Sequence, residues 1–437
     1  MLPPRDLKMV VLVCKCWREI GEDPSLWTRC MVTLASRGDL EKLDIRRLQQ
    51  IQVINVRARC FQADELEEMF QTVVTNPPLM PRLPKLREIS GLANANISNV
   101  EPRLLARVVC RLEEVDMRKT NITSEQVRTL FTILCHWSQL KSLNLSVNNL
   151  STVDPAVLST AVNRLEKLDL NMTKMTSEQV QVLFTTMCQE SQLKKLVISN
   201  NNLSTVEPEV LATAVNKLEE VGMWKTHITS EQAQTLFAAI AEGSSLKKLR
   251  IGINNLSSIE PAVLIRAVRR LEEVGLYGTQ ITNEQAETVF AAIAEESPLK
   301  KLILGFDNLT TIEPAVLATA VCRLEEVKMI NANITSEQAI TMFTAICQGS
   351  QLKRLHITNS NLSTIEQGVL ATAVNRMEEV TMKNTQLSTQ HVSCILTQCV
   401  EDDTKLKKLV LRGIDMTGVD QDIIRQVKEK LGMFFSF

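Results

Sequence analysis

The sequence predicts an α/β solenoid, a horseshoe with a parallel sheet on its concave side and helices on its convex side, preceded by a short helical segment. Three observations carry this reading. One string returns at a near-constant interval, each copy opens on period-two apolar residues, and each copy closes on apolar residues at helical spacing.

Leu-Lys-Lys-Leu or a close variant begins at Leu140, Leu193, Leu246, Leu299, Leu352 and Leu406, at intervals of 53, 53, 53, 53 and 54. Leu-Glu-Glu-Val or a variant begins at Leu112, Leu165, Leu218, Leu271, Leu324 and Met377, also 53 apart. The two series interleave, so modules of roughly 28 residues (Leu218 to Leu246) and roughly 25 residues (Leu246 to Leu271) alternate. Within a module, Leu246, Leu249 and Ile251 place apolar side chains on one face of a short strand, and Asn254 then Leu256 mark the turn after it. The second half switches period. Thr229-Ser-Glu-Gln232 offers a capping box ahead of Leu236, Phe237 and Ile240 on one helical face. In the alternate module Glu207-Pro208 starts the helix and Val210, Leu211 and Val215 form its stripe.

The Leu-x-x-Leu-x-Leu opening with its polar ninth and apolar eleventh residues resembles the leucine-rich repeat. One strand and one helix in each such module, the shorter and the longer alike, is most similar to the ribonuclease-inhibitor-like class. Two worn modules are read at Leu86-Arg-Glu-Ile89 and Leu48-Gln-Gln-Ile51, with Asn76–Pro81 as an inserted loop, which gives 14 modules over residues 41–418. A terminal helix near Val419–Leu431 is expected to cap the array within 419–437, with Phe434, Phe435 and Phe437 over the last exposed core.

Residues 1–40 do not obey the repeat. Leu7, Val10, Val11, Cys14 and Trp17 describe an amphipathic helix behind a Pro-Pro start, which also suits a helix that shields the first repeat. Leu2-Pro3-Pro4-Arg5-Asp6-Leu7, Val13-Cys-Lys-Cys-Trp17 and Asp23-Pro-Ser-Leu-Trp27 resemble the second and third helices of an F-box, in the family's order. The family's first helix lies upstream of the Pro-Pro block, so a truncated F-box is expected. The resemblance implies docking on a Skp-family adaptor, and through it a cullin, by Leu2, Pro3, Pro4, Leu7, Val11 and Trp17. It implies further that the chain is the substrate-recognition subunit of an SCF-type ubiquitin ligase, in which other subunits perform ubiquitin transfer. A stand-alone protein-binding or inhibitor protein similar to ribonuclease inhibitor is the alternative.

Composition narrows the partners. Lys+Arg 49 against Asp+Glu 50 leaves a charge of -1, too little positive field for a nucleic acid or an anionic membrane. No apolar run reaches the roughly 18–20 residues of a membrane span. Eleven cysteines dispersed through a long chain, with no secretion signal ahead of them, fit a reducing cytoplasm or nucleus. Cys135, Cys188 and Cys347 stand where other modules have alanine and read as small core residues, whereas Cys110 and Cys322 read as near-surface turn positions. The four histidines have no metal-ligand spacing, and no phosphate-loop, acyl-transfer or metalloprotease motif occurs, so no metal, no cofactor and no catalytic residue is expected.

The third, fifth, seventh and eighth residues of each module should face into the horseshoe. The third position alternates Glu and Lys or Arg between neighbouring strands and reads as a solvated, self-neutralising ladder. The seventh and eighth vary among otherwise near-identical modules. Trp224, Ile253, Tyr277, Phe306 and Ile330 fall there on five successive modules, over roughly 19 Å. Bulky apolar groups on an open face are the anatomy of a protein-binding hot spot. Gly222, Gly252, Gly275, Gly278 and Gly305 are expected to leave room above them, and Lys225, Arg250, Lys328 and His356 to form the rim around a protein target.

Overall fold

The structure, a computed structural model, describes residues 31–34, 53–56, 66–67, 70–71, 86–134, 138–189, 191–305, 309–401, 404–432 and 435–436. The expected adaptor-binding residues Leu2, Pro3, Pro4, Leu7, Val11 and Trp17, the loop 76–81 and Phe306 lie outside the described residues. The chain forms two compact units, 1–210 and 211–437.

In the first unit the strands β1 (Met31–Leu34), β2 (Val53–Val56), β3 (Glu88–Ser90), β4 (Glu114–Asp116), β5 (Ser142–Asn144), β6 (Lys167–Asp169) and β7 (Lys195–Val197) pair in chain order, all parallel. Helices α1 (Pro102–Val109), α2 (Ser124–Leu134), α3 (Pro155–Val162) and α4 (Ser177–Gln189) connect the later ones. Two features differ from the expected module boundaries. Ile54 pairs with Ile89, the fourth residue of its module, so the worn module opens at Ile51 rather than Leu48. Leu48 and Ile51 both head an apolar-x-x-apolar triplet, and only the pairing register tells them apart. β1 adds a strand within the stretch assigned to the N-terminal segment. Its module lacks the opening leucine, which is why the repeat pattern does not reveal it.

The second unit continues from helix α5 (Pro208–Asn216) with β8 (Glu220–Gly222), α6 (Ser230–Glu242), β9 (Lys248–Arg250), α7 (Pro261–Val268), β10 (Glu273–Gly275), α8 (Asn283–Glu295) and β11 (Lys301–Gly305). Then follow α9 (Pro314–Arg323), β12 (Glu326–Ile330), α10 (Ser336–Gln348), β13 (Arg354–Thr358), α11 (Gln367–Arg376), β14 (Glu379–Lys383), α12 (Thr389–Val400) and β15 (Lys408–Arg412). The strands are again parallel and in chain order. The terminal helix α13 (Gln421–Leu431) falls where the apolar spacing placed it, and Phe435 is buried as part of β16 (Phe435–Ser436) against β15.

Each module buries its fourth and sixth strand residues, such as Leu249 and Ile251 at 0% exposure, against the apolar face of its helices. Phe237, Phe290 and Phe343 stand at equivalent places on α6, α8 and α10 and are fully buried. Polar groups inside this core find their partners by repetition. Asn254 Nδ2 donates to Met223 O (2.7 Å) and Ile251 O (2.8 Å), while its Oδ1 accepts from Thr226 N (3.1 Å). Thr229 and Gln232 exchange hydrogen bonds as a capping box, and Gln285 and Gln338, at the matching helix position, each donate from Nε2 to two carbonyls of the preceding turn. His391 takes that place on α12. Its Nε2 donates to Ile365 O at 2.8 Å, which leaves Nδ1 to accept from Ser388.

The cysteines depart from the pattern-based reading. Cys110 is buried rather than near the surface, and burial pushes its thiol up to about 11. Cys188 and Cys347 are only half-buried, and Cys347 Sγ donates to Val369 O at 3.0 Å. Among the described residues no helix is long and apolar enough to cross a membrane.

Candidate protein-binding face

From the Leu112 module onward, the eighth residue has a left-handed backbone wherever it is described, because the chain turns sharply away from the sheet there. In the second unit that position holds Lys225, Ile253, Gly278, Asn331, Asn359, Asn384 and Gly413. Glycine and asparagine are the residues that tolerate this conformation, and their recurrence follows from it. Ile253, at φ 53°, is a β-branched departure from this preference, as Val147 (φ 59°) is in the first unit. A β-branched side chain there costs roughly 1–2 kcal/mol, and the side chain is still 37% exposed. Ile253→Asn should therefore raise the unfolding free energy by about 1 kcal/mol, measured by urea denaturation, while weakening any partner held on this face. A destabilised variant would instead show that Ile253 is held by packing.

Trp224 is 38% exposed and lies just after β8, one strand from Ile253. A β-carbon built on Gly252 would come within 2.8 Å of Trp224 Cδ1 and 2.7 Å of Tyr277 O. The indole is thus laid across the neighbouring glycine. The same arrangement repeats two strands on, where the Tyr277 ring lies over Gly305 and Ile330 O stands 2.6 Å from the place a β-carbon would take. These two glycines do not leave open room above the aromatics, as the sequence suggested. They are the floor on which the rings rest. Tyr277 and Ile330 are half-buried, so the exposed apolar surface concentrates on Trp224 and Ile253. The remaining exposed large hydrophobics among the described residues are Met172 and Ile340.

The charged ladder is also more enclosed than expected. Glu273 and Glu326 are each only 7% exposed. Arg250 Nε reaches Glu273 at 2.8 Å, Lys301 Nζ stands 3.6 Å from Glu273 and 3.2 Å from Glu326, and Arg354 Nε reaches Glu326 at 2.8 Å. Lys328 Nζ adds a contact to Glu326 at 3.4 Å. The long basic stems lie over the shorter carboxylates and exclude water from them. Burial alone would raise the Glu326 carboxyl, but the Arg354 hydrogen bond and the Lys301 charge hold it below the usual carboxylate range. Burial likewise opposes the Arg250 charge, and Glu273 more than offsets it. Arg250 and Lys328, expected as a free rim, are therefore tied into this network. Lys225 remains exposed. His356 is half-buried, and burial, then the charges of Lys383, Lys328 and Lys408, depress its pKa below the ordinary imidazole value, so it is neutral at pH 7. Two further residues of the face, Lys383 and Arg412, were not among the expected rim although they occupy the seventh position of their modules.

The arrangement offers a partly apolar, partly charged surface. The F-box-like family model matches residues 1–32, and the Leucine Rich Repeat model matches 139–161 and 192–214. The chain thus carries an F-box-like segment and leucine-rich repeats. Ribonuclease inhibitor from Sus scrofa is 22% identical over 305 residues, which is 66% of this chain and 66% of that protein. NACHT, LRR and PYD domains-containing protein 9 from Bos taurus is 22% identical over 286 residues, 62% of this chain and 28% of that protein. The chain thus spans just under two thirds, or less, of the length of these relatives. Among solved structures, the crystal structure of the Rad7 and Elc1 complex in yeast shares the fold with a TM-score of 0.51 and 14% identity, over 87% of this chain and 92% of that one.

Proposed function

We propose that this chain is the substrate-recognition subunit of an SCF-type cullin-RING ubiquitin ligase. The observation that carries the reading is an F-box-like segment at residues 1–32 in a chain that also carries leucine-rich repeats. In this reading residues 1–30 dock a Skp-family adaptor, which joins the chain to a cullin, and the sheet face around Trp224, Ile253 and Tyr277 holds a protein target. The chain itself is non-catalytic and works in a reducing compartment, the cytoplasm or nucleus, in keeping with the free thiols of its described cysteines. That a chain of similar fold is solved in complex with a second protein, Elc1, supports a role in assembly.

The likeness to ribonuclease inhibitor favours a second reading, a stand-alone inhibitor or binding protein that uses the same face. A pull-down separates the two. The full chain should recover a Skp-family adaptor and lose it when residues 1–30 are deleted. Failure to recover the adaptor even after a leading F-box helix is supplied upstream would sink the ligase reading and leave the inhibitor reading.

A further inference from the structure

The seventh residues of the last two full modules are Lys383 and Arg412, and the parallel register sets them directly opposite each other on β14 and β15. Neighbouring strands lie about 4.8 Å apart, and like charges placed opposite each other destabilise a sheet. Other cations nearby are neutralised: Lys408 Nζ lies 3.6 Å from Glu379, and Lys328 and Arg354 turn to Glu326. Among the described residues neither Lys383 nor Arg412 has a side-chain hydrogen bond or ion pair. The fold does not require cations at this position, since other modules place Ser146, Ser199 and Thr358 there. His356, one strand away, has its pKa depressed first by burial and then by the charges of Lys383, Lys328 and Lys408.

We propose that Lys383 and Arg412 form an anion-binding notch that receives side-chain carboxylates from an acidic segment of the target protein. This deepens the target-binding reading and rests on it for the occupant. An anion between the two cations removes their repulsion, and Arg offers a forked donor matched to a carboxylate. A nucleic acid would need a run of uncompensated cations, whereas Arg250, Glu273, Lys301 and Glu326 neutralise one another along the same face. The module of Tyr277 lies four strands from that of Lys383, about 19 Å at the usual strand spacing, which roughly six residues of extended chain would cross. The fitting segment has an apolar anchor at one end and acidic residues about six positions away.

The test uses the full chain and a fluorescein-labelled peptide made of two leucines, a glycine-serine spacer of about six residues and four glutamates, with fluorescence anisotropy as the readout. The double substitution Lys383→Gln with Arg412→Gln should weaken binding about tenfold, and raised salt should weaken the wild type in the same way. Replacing the four glutamates by glutamines should lower affinity for the wild type to that of the variant. Because the substitution relieves a repulsion, its unfolding midpoint should not fall, which separates lost binding from lost folding. Equal affinity of wild type and Lys383→Gln/Arg412→Gln for the glutamate peptide overturns the notch. If Trp224→Ala with Tyr277→Ala still weakens that peptide, the target-binding reading survives such a failure. If neither pair of substitutions matters, both fall. A single-stranded oligonucleotide of equal charge that binds as tightly through the same two residues overturns the choice of a peptide.

Discussion

Phe237→Ala should destabilise the protein by about 3–5 kcal/mol in urea or guanidinium denaturation. The ring on α6 is fully buried, and the equivalent phenylalanines of α8 and α10, Phe290 and Phe343, are buried in the same way. Truncation removes the transfer free energy of the ring and leaves a cavity. The core residues of this module and the next, Leu236 and Ile240 with Leu249 and Ile251, each at 0% exposure, belong to rigidly paired strands and capped helices and cannot collapse into it. In a repeat array stability is close to a sum of each module and its interfaces with neighbours. Loss at Phe237 therefore weakens the contacts on both sides of α6, and the transition should broaden as well as shift. A loss under about 1 kcal/mol would mean that the helix does not present this face to the sheet.

Phe237 was legible because the chain compares itself. A residue that returns every 53 positions with its chemistry intact is tied to the fold, and one that changes while its neighbours stay fixed is released from it. That contrast revealed the core, the capping boxes and the varied seventh and eighth positions. It failed where the pattern is ambiguous or silent. Two apolar triplets in tandem hid the register at Ile51, and a strand without an opening leucine hid β1. Side-chain length decided what periodicity could not: Glu273 and Glu326 share the third position with exposed residues of other strands, yet are covered by Arg and Lys stems from their neighbours. The left-handed turn that makes Ile253 costly is a backbone property, and only the recurrence of Asn and Gly at that place hints at it. Lys383 and Arg412 are not bulky apolar residues, and the meaning of two cations in register needs the pairing of β14 with β15.

Replacing Trp224 and Tyr277 together by alanine should abolish capture of the target protein, with a loss of roughly thirtyfold or more in affinity from Trp224→Ala alone. Truncating an aromatic anchor costs about 2 kcal/mol or more when the ring is desolvated by the partner, and every ~1.4 kcal/mol is a factor of ten. The structure explains why these rings suit that work. Each rests on a glycine of the next strand, Trp224 on Gly252 and Tyr277 on Gly305, so its orientation is set before the partner arrives and little side-chain entropy is lost on binding. Trp224 nevertheless keeps 38% of its surface open, which is the area a partner can still cover. The same contacts mean that the double substitution lowers the unfolding midpoint somewhat, so a second variant separates the two effects. Gly252→Ala leaves both aromatics in the sequence but drives a methyl into Trp224 Cδ1 and Tyr277 O. It should tilt the indole and weaken capture without removing any apolar surface. If Trp224→Ala/Tyr277→Ala and Gly252→Ala both retain wild-type capture, as measured by surface plasmon resonance against the purified target, the interface lies off this face.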